Sequence, residues 1–310
     1  MEIRRIGLSG MFGALVGACR LIGRYPGRFM LASLLGMLAV FAIAILFSIV
    51  AVWAFGPEVA GDSSLTTVAI LYAAILLVFV IVLPPMVAGW FQLCRALSDG
   101  RSVSVFTLFA PYRRAGEWKK SVVYSLLGIA LYLLVHALYV LLAVYVFGIG
   151  WQELGVFLSA QRGDPGALTG LSRDFWIAYA GIMLVGIVLQ SMFMLGFGQA
   201  ALTDNTAGAS FRAGVAGTLK NLFSLVLFLV LCTVSILVTA LLIGILLGLL
   251  VALIGKLNTA VAAGIGIAFY VLVILLLYPL IFSFETLLWR AILGDGQSYG
   301  KAVNAPEVPA

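Results

Sequence analysis

The chain has 310 residues, of which 64% are hydrophobic and only 10% charged, and its mean hydropathy is +1.19. Soluble domains carry about 25% charged residues, so this composition excludes a water-covered globule and points to an all-α integral membrane protein. The net charge of +6 comes from basic residues beside apolar runs, which favours anionic lipid headgroups over nucleic acid as partner.

The N-terminal stretch 1–28 holds Arg4, Arg5, Arg20, Arg24 and Arg28. Within 9–24, Met11, Phe12, Leu15, Val16 and Cys19 form an apolar stripe, while Arg20 and Arg24 share another face. That pattern predicts a helix lying in the membrane interface. The first long apolar run, 29–55, is too long for a signal-peptide core and is expected to stay in the mature protein as span one. After "GPEVAGDSS" the second span, 65–94, contains Pro84 and Pro85 and leaves through "LCRALSDGRS", 93–102. There Arg95 anchors the span, Asp99 and Gly100 turn the chain, and Ser102 is expected to cap the next helix. Residues 102–120 start a second amphipathic stripe at Phe106 and Phe109, broken by Pro111, and carry Arg113, Arg114, Lys119 and Lys120. Spans at 121–149 and 175–201 follow, and Trp151, Leu154, Phe157 and Leu158 between them predict a short surface helix. A third amphipathic helix, 207–220, sets Phe211, Val215 and Leu219 on one face and Arg212 and Lys220 on another. The last spans are 222–254 and 260–290, separated by only "GKLN", so a broken or re-entrant fifth span is an alternative to a continuous one. The short alternating segments of a β-barrel are absent.

The pattern reads as six transmembrane helices in one membrane domain, built as three parallel repeats of interfacial helix plus helical hairpin. The units are about 8–100, 101–205 and 206–296, followed by a flexible tail at 297–310. Their strongest mark is the gapless match of "PPMVAGWFQLCRAL" at 84–97 with "PLIFSFETLLWRAI" at 279–292; "QAALTDNTAG" at 199–208 matches more loosely. All eighteen lysines and arginines except Arg162, Arg173 and Lys256 fall on one set of connections. Positive charge stays inside, so both termini are expected in the cytoplasm, with three hairpins opening outward. The six tryptophans all fall near proposed span ends, where amphipathic rings are favoured.

Three stretches carry a family likeness: "IGRYPGRF" at 22–29, "PPMVAGWFQLCRALSDGRSVSVFTLF" at 84–109 and "GASFRAGVAGTLKNLFSLV" at 208–226. With them the chain resembles a family of poorly characterised bacterial multi-pass inner-membrane proteins. It is also similar to the membrane domain fused to some glycerophosphodiester phosphodiesterases. The resemblance implies a multi-span helical fold and a bacterial plasma membrane. It carries over no catalytic residues, because the soluble phosphodiesterase domain has no counterpart here.

No convergent nucleophile, base or metal cluster is visible, so no catalytic residue, cofactor or metal is expected. "GLSG" at Gly7 to Gly10 resembles the serine motif of rhomboid proteases, but Ser9 precedes an interfacial helix while His136, the single histidine, sits mid-span. Polar side chains inside spans are candidates for a cavity lining: His136, Gln190, Gln199 and Glu285. Each has a plainer reading, a hydrogen bond to a neighbouring helix for His136, Gln190 and Gln199 and an interfacial ion pair for Glu285. Headgroup binding is expected of Arg20, Arg24, Arg28, Arg95, Arg113, Arg114, Lys119, Lys120, Arg212, Lys220 and Arg290. Ala240, Gly244, Gly248 and Ala252, four apart, offer a small-residue face for packing within the monomer or in a homo-oligomer. The leading functional expectation is a non-catalytic subunit, scaffold or lipid-organising element, with a membrane-protein partner or second copy. The alternative is a transporter or lipid-translocating protein.

Overall fold

A computed structural model of the chain describes residues 3–55, 65–150, 152–153, 155–157, 171–255 and 259–294. Among these residues the chain is helical, with no strand. The helices are α1 (Leu8–Arg24), α2 (Pro26–Phe55), α3 (Leu65–Ser98), α4 (Ala110–Arg113), α5 (Ala115–Phe147), α6 (Arg173–Leu202), α7 (Ala207–Lys220), α8 (Leu222–Gly255) and α9 (Thr259–Ile292). A 3-10 turn, Val105–Phe109, runs directly into α4, and the two together form a short strap.

Among the described residues, five helical segments are long and apolar enough to cross a bilayer: Pro26–Leu46, Val80–Ser98, Ala115–Phe147, Arg173–Leu202 and Gly264–Ile292. A sixth is reached if α7 and the start of α8 are taken together, although an 80° bend separates them. The exposed faces are rich in large apolar side chains, including Phe41, Ile45, Leu133, Leu134, Leu138, Val146 and Ile267. So wide an apolar surface suits a lipid solvent and would aggregate in water. The chain is a multi-pass helical membrane protein.

Local chemistry sets the helix ends. The Ser172 hydroxyl accepts from the Phe175 amide at 3.1 Å and starts α6, and the Thr206 hydroxyl accepts from Ala209 at 3.3 Å and starts α7. Ser104, and not the expected Ser102, caps the 3-10 turn, accepting from the Phe106 amide at 3.3 Å. Ser102 accepts instead from Arg28 Nη2 at 3.3 Å. Gly100, at φ 73°, makes the turn after α3 that a side chain would strain. The helices α3 and α9 run on through Pro84, Pro85 and Pro279. Of the two alternatives for the fifth span, α8 is continuous from Leu222 to Gly255, and residues 256–258 of the GKLN junction lie outside the described residues. The sharp bend lies at its beginning, at Asn221.

Packing concentrates at one end of the bundle, the end where α3, α6 and α9 finish. These three helices touch one another there. Trp90 of α3 stacks on Phe282 of α9 with ring centres 5.3 Å apart, and Phe91 of α3 meets Phe197 of α6 at 6.1 Å. The helices preceding them pack outside this trio: α2 against α9 and α3, α5 against α3 and α6, α8 against α6 and α9.

Each short amphipathic element rests across the end of one of these three spans. The strap lies on α3, α7 on α6, and α1 on α9. The seats are small residues that admit backbone. A Cβ on Gly89 of α3 would come within 2.0 Å of the Leu108 carbonyl oxygen in the strap, and one on Gly214 of α7 within 2.4 Å of the Met192 carbonyl oxygen in α6. Met11, Ala14 and Ala18 of α1 are fully buried in a cluster with Leu288, Ile292 and Leu293 of α9.

Candidate functional site

The ends of α3, α6 and α9 meet in a polar knot. A helix leaves its last four carbonyl groups without intrahelical partners, and cationic or amide side chains satisfy them here. Arg95 Nη1 of α3 donates to the Leu202 carbonyl at the end of α6 at 2.6 Å. Arg290 of α9 is 2% exposed; its Nη2 donates to the Arg95 carbonyl at 3.4 Å and pairs with Asp99. Trp289 Nε1 donates to Gln199 Oε1 at 2.9 Å, and the Arg95 guanidinium lies 5.8 Å from the Trp289 ring centre. Gln92 Nε2 donates to Glu117 Oε2 at 2.9 Å, and Lys120 Nζ to the Thr203 carbonyl at 2.7 Å. The knot therefore joins three spans to the start of α5.

A second polar tie holds the N-terminal segment. The Ile6 amide donates to Asn221 Oδ1 at 2.7 Å, and Asn221 Nδ2 donates to the Arg4 carbonyl at 2.9 Å and the Gly217 carbonyl at 3.0 Å. The Arg4 amide donates to the Ile292 carbonyl at 2.9 Å. Asn221 thus fastens the bend between α7 and α8 to the segment leading into α1. Sequence reasoning passed over this residue. Its signal was a lone amide between two helical patterns.

The expected headgroup cations divide into two groups. Arg95 and Arg290, expected at lipid headgroups, turn into the knot instead and bind helix-end carbonyls and Asp99. Lys120 is half-buried on Thr203, and Lys220 donates to the Ile3 carbonyl while remaining exposed. Arg114 pairs with Glu117 at 2.8 Å. Arg24 and Arg28 both lie over the Tyr25 ring, 5.7 and 5.6 Å from its centre. Arg20, Arg24, Arg113, Lys119 and Arg212 are exposed.

The polar candidates do not gather around one cavity. Gln199 is buried in the knot, bonded to Trp289 and Thr203. His136 Nδ1 lies 2.8 Å from the Tyr132 carbonyl one turn earlier on its own helix, and the two rings stack at 3.8 Å; the hydrogen bond to a neighbouring helix is replaced by one along α5. Gln190 is exposed at the rim of a crevice of about 190 Å³ between α5, α6 and α7, with Tyr132, Phe193 and Phe211. Glu285 is half-buried in α9 and makes no hydrogen bond or ion pair among the described residues, so the expected basic partner is missing there. Gly244 and Gly248 are exposed, and among the described residues nothing lies within 4 Å of a Cβ position on either. The side chains of Ala240 and Ala252 lie outside the described residues, as do Trp151, Leu154, Leu158 and the tail at 297–310.

A further crevice, of about 350 Å³, opens between α2, α3 and the strap. Ile43, Leu83, Met86 and Phe109 line it, and Arg113 stands at its edge. Tyr112 crosses it and donates to the Val82 carbonyl, beside the carbonyls that Pro84 and Pro85 leave unpaired. Burial pushes the Tyr112 hydroxyl up to about 12, so it stays a donor.

Comparison with family models, curated proteins and solved structures returns no match to the chain.

Proposed function

We propose that the chain is a non-catalytic protein of a bacterial inner membrane, acting as a subunit, scaffold or lipid-organising element. The observation that carries this reading is the division of the cations. Those of the knot are spent on helix ends, while Arg20, Arg24, Arg113, Lys119 and Arg212 are exposed on the same end of the bundle. A ring of exposed cations beside amphipathic helices suits an anionic leaflet. By the positive-inside rule this end is cytoplasmic, and both termini with it.

Three parallel units underlie the arrangement. In support, each short amphipathic element rests on the final span of the unit before it: the strap on α3, α7 on α6, and α1 on α9. These contacts close a cycle. The first span of each unit likewise touches the final span of the unit before it, with α2 on α9, α5 on α3 and α8 on α6. A cycle of like contacts is what three copies of one unit produce. The family likeness of the sequence fits the same membrane.

The test is affinity purification of the full chain from bacterial membranes. A stoichiometric protein partner, or retained anionic lipid, supports the reading; a lone chain that moves a solute in liposomes overturns it. Sidedness is tested by a membrane-impermeant maleimide on a variant keeping only exposed Cys19, which should react in inverted vesicles and not in intact spheroplasts. The transporter reading draws on one observation, the uncompensated carboxyl of Glu285 inside α9. It requires that Glu285→Ala abolish a transport signal while leaving the thermal midpoint unchanged.

A further inference from the structure

We propose that the crevice between α2, α3 and the strap is a binding site for one anionic phospholipid, an acyl chain entering the crevice and the phosphate meeting Arg113. The proposal rests on the lipid-organising reading and specifies where it acts.

The crevice has the chemistry of an amphiphile site. Its volume of about 350 Å³ is at the lower end of the range of small-molecule pockets. Ala39, Ile43, Leu83, Met86 and Phe109 give it apolar walls. Its one hydroxyl, on Tyr112, is already committed to the Val82 carbonyl. No polar headgroup would therefore find a partner deep inside, and an alkyl chain loses nothing there.

The edge is cationic and uncompensated. Arg113 lines the crevice and makes no ion pair or hydrogen bond among the described residues. The nearest acid along the chain, Glu117, accepts from Arg114 at 2.8 Å and from Gln92 at 2.9 Å. So two adjacent arginines differ: Arg114 has a carboxylate of the protein, and Arg113 has none. A guanidinium matches a phosphate through paired donors. Arg113 also belongs to the strap, which is seated on Gly89, so its backbone is held in place over the crevice.

The same disposition recurs in the α5, α6 and α7 crevice, of about 190 Å³. There Phe211 of the covering helix lines the cavity and the next residue, Arg212, is exposed without a partner among the described residues. In both places an amphipathic element covers an apolar crevice with an aromatic residue and follows it with an unpaired arginine: Tyr112 then Arg113, Phe211 then Arg212. Chance lipid-facing roughness would not be expected to repeat that order.

The experiment is native mass spectrometry of the full chain in detergent, titrated with phosphatidylglycerol or with phosphatidylcholine of the same acyl chains. Wild type should hold phosphatidylglycerol about tenfold more tightly. Arg113→Gln should lose most of that preference while still binding either lipid weakly. Ile43→Trp, which fills the crevice, should weaken both lipids. Arg173→Gln makes the same charge change at the opposite end and should alter neither. Retention of the full preference by Arg113→Gln overturns the proposal. So does displacement of the lipid by millimolar inorganic phosphate, since the site would then be a phosphate site. Either failure leaves the broader reading standing, because that is decided by partner recovery and solute movement.

Discussion

Substituting Gly89 with alanine separates a seated glycine from a merely exposed one. In wild type the strap lies against α3 so closely that a Cβ on Gly89 would sit 2.0 Å from the Leu108 carbonyl oxygen and 2.5 Å from its carbon. Ordinary contact between such atoms is about 3.5–4.0 Å, so the strap must retreat by about 1.5 Å. Both clashing atoms are backbone, so no side-chain rotation relieves them. Overpacking of this kind costs about 1–3 kcal/mol. The retreat also lifts Leu108, fully buried in wild type, whose exposure is worth up to about 1.5–3 kcal/mol where the strap meets water. A loss of about 2–4 kcal/mol is expected for Gly89→Ala. The control is Gly248→Ala in α8, where nothing lies within 4 Å and helix propensity alone should stabilise by up to about 1 kcal/mol. Equilibrium unfolding in mixed micelles, followed by circular dichroism, measures both. The reasoning is refuted if Gly89→Ala unfolds with the wild-type midpoint, or if Gly248→Ala is the more damaging of the pair.

The Arg290–Asp99 pair should respond asymmetrically. Arg290 has a 3% exposed side chain with Nε and Nη1 unpaired, whereas Asp99 is 30% exposed and also paired with Arg101 at 2.9 Å. Asp99→Ala strands a buried cation and should cost about 3 kcal/mol, while Arg290→Met should cost less than about 1 kcal/mol; a double-mutant unfolding cycle checks this. Thiol labelling should separate exposed Cys19, modified at once by maleimide, from buried Cys94, modified only after denaturation, as mass spectrometry of digests would report. Finally, the carboxyl of Glu153 is held below its ordinary value by the Ser172 hydroxyl, then by the Ser172 amide at 3.1 Å. A depressed folded value means a contribution present at neutral pH and lost as pH falls below the usual carboxylate range near 4.3. Fluorescence of Trp176, followed through an acid titration in Glu153→Gln and wild type, should differ at neutral pH and converge in acid.

The helices were legible because each apolar run sits between polar breaks that stop it. Span 222–254 became Leu222–Gly255 and span 175–201 became Arg173–Leu202, with ends moved only by local caps such as Ser172. What one helix's pattern cannot carry is the identity of the helix it faces. The stripe through Gly244 and Gly248 had the spacing of a packing seam, yet among the described residues nothing lies within 4 Å of a Cβ on either glycine. Gly89 and Gly214 were in no stripe named from the sequence, yet among the described glycines they make the closest approaches to the backbone of a neighbouring element, 2.0 and 2.4 Å. Ser102 was the cap expected from the sequence; Ser104 takes that place, and Ser102 meets Arg28, 74 positions away.

The arginines make the same point about function. Arg95, Arg113 and Arg290 read alike in sequence, each a cation beside an apolar run. What distinguishes them is the neighbouring backbone. Arg95 and Arg290 meet the carbonyl ends of other spans, where a cation is favoured by the helix dipole and by unsatisfied acceptors. Arg113 closes a four-residue helix over an apolar crevice and meets no such end. Charge that is spent inside holds three spans together; charge left over at a crevice is what a ligand can use. The distinction follows from where the chain places carbonyl groups, so counting cations near span ends could not have drawn it.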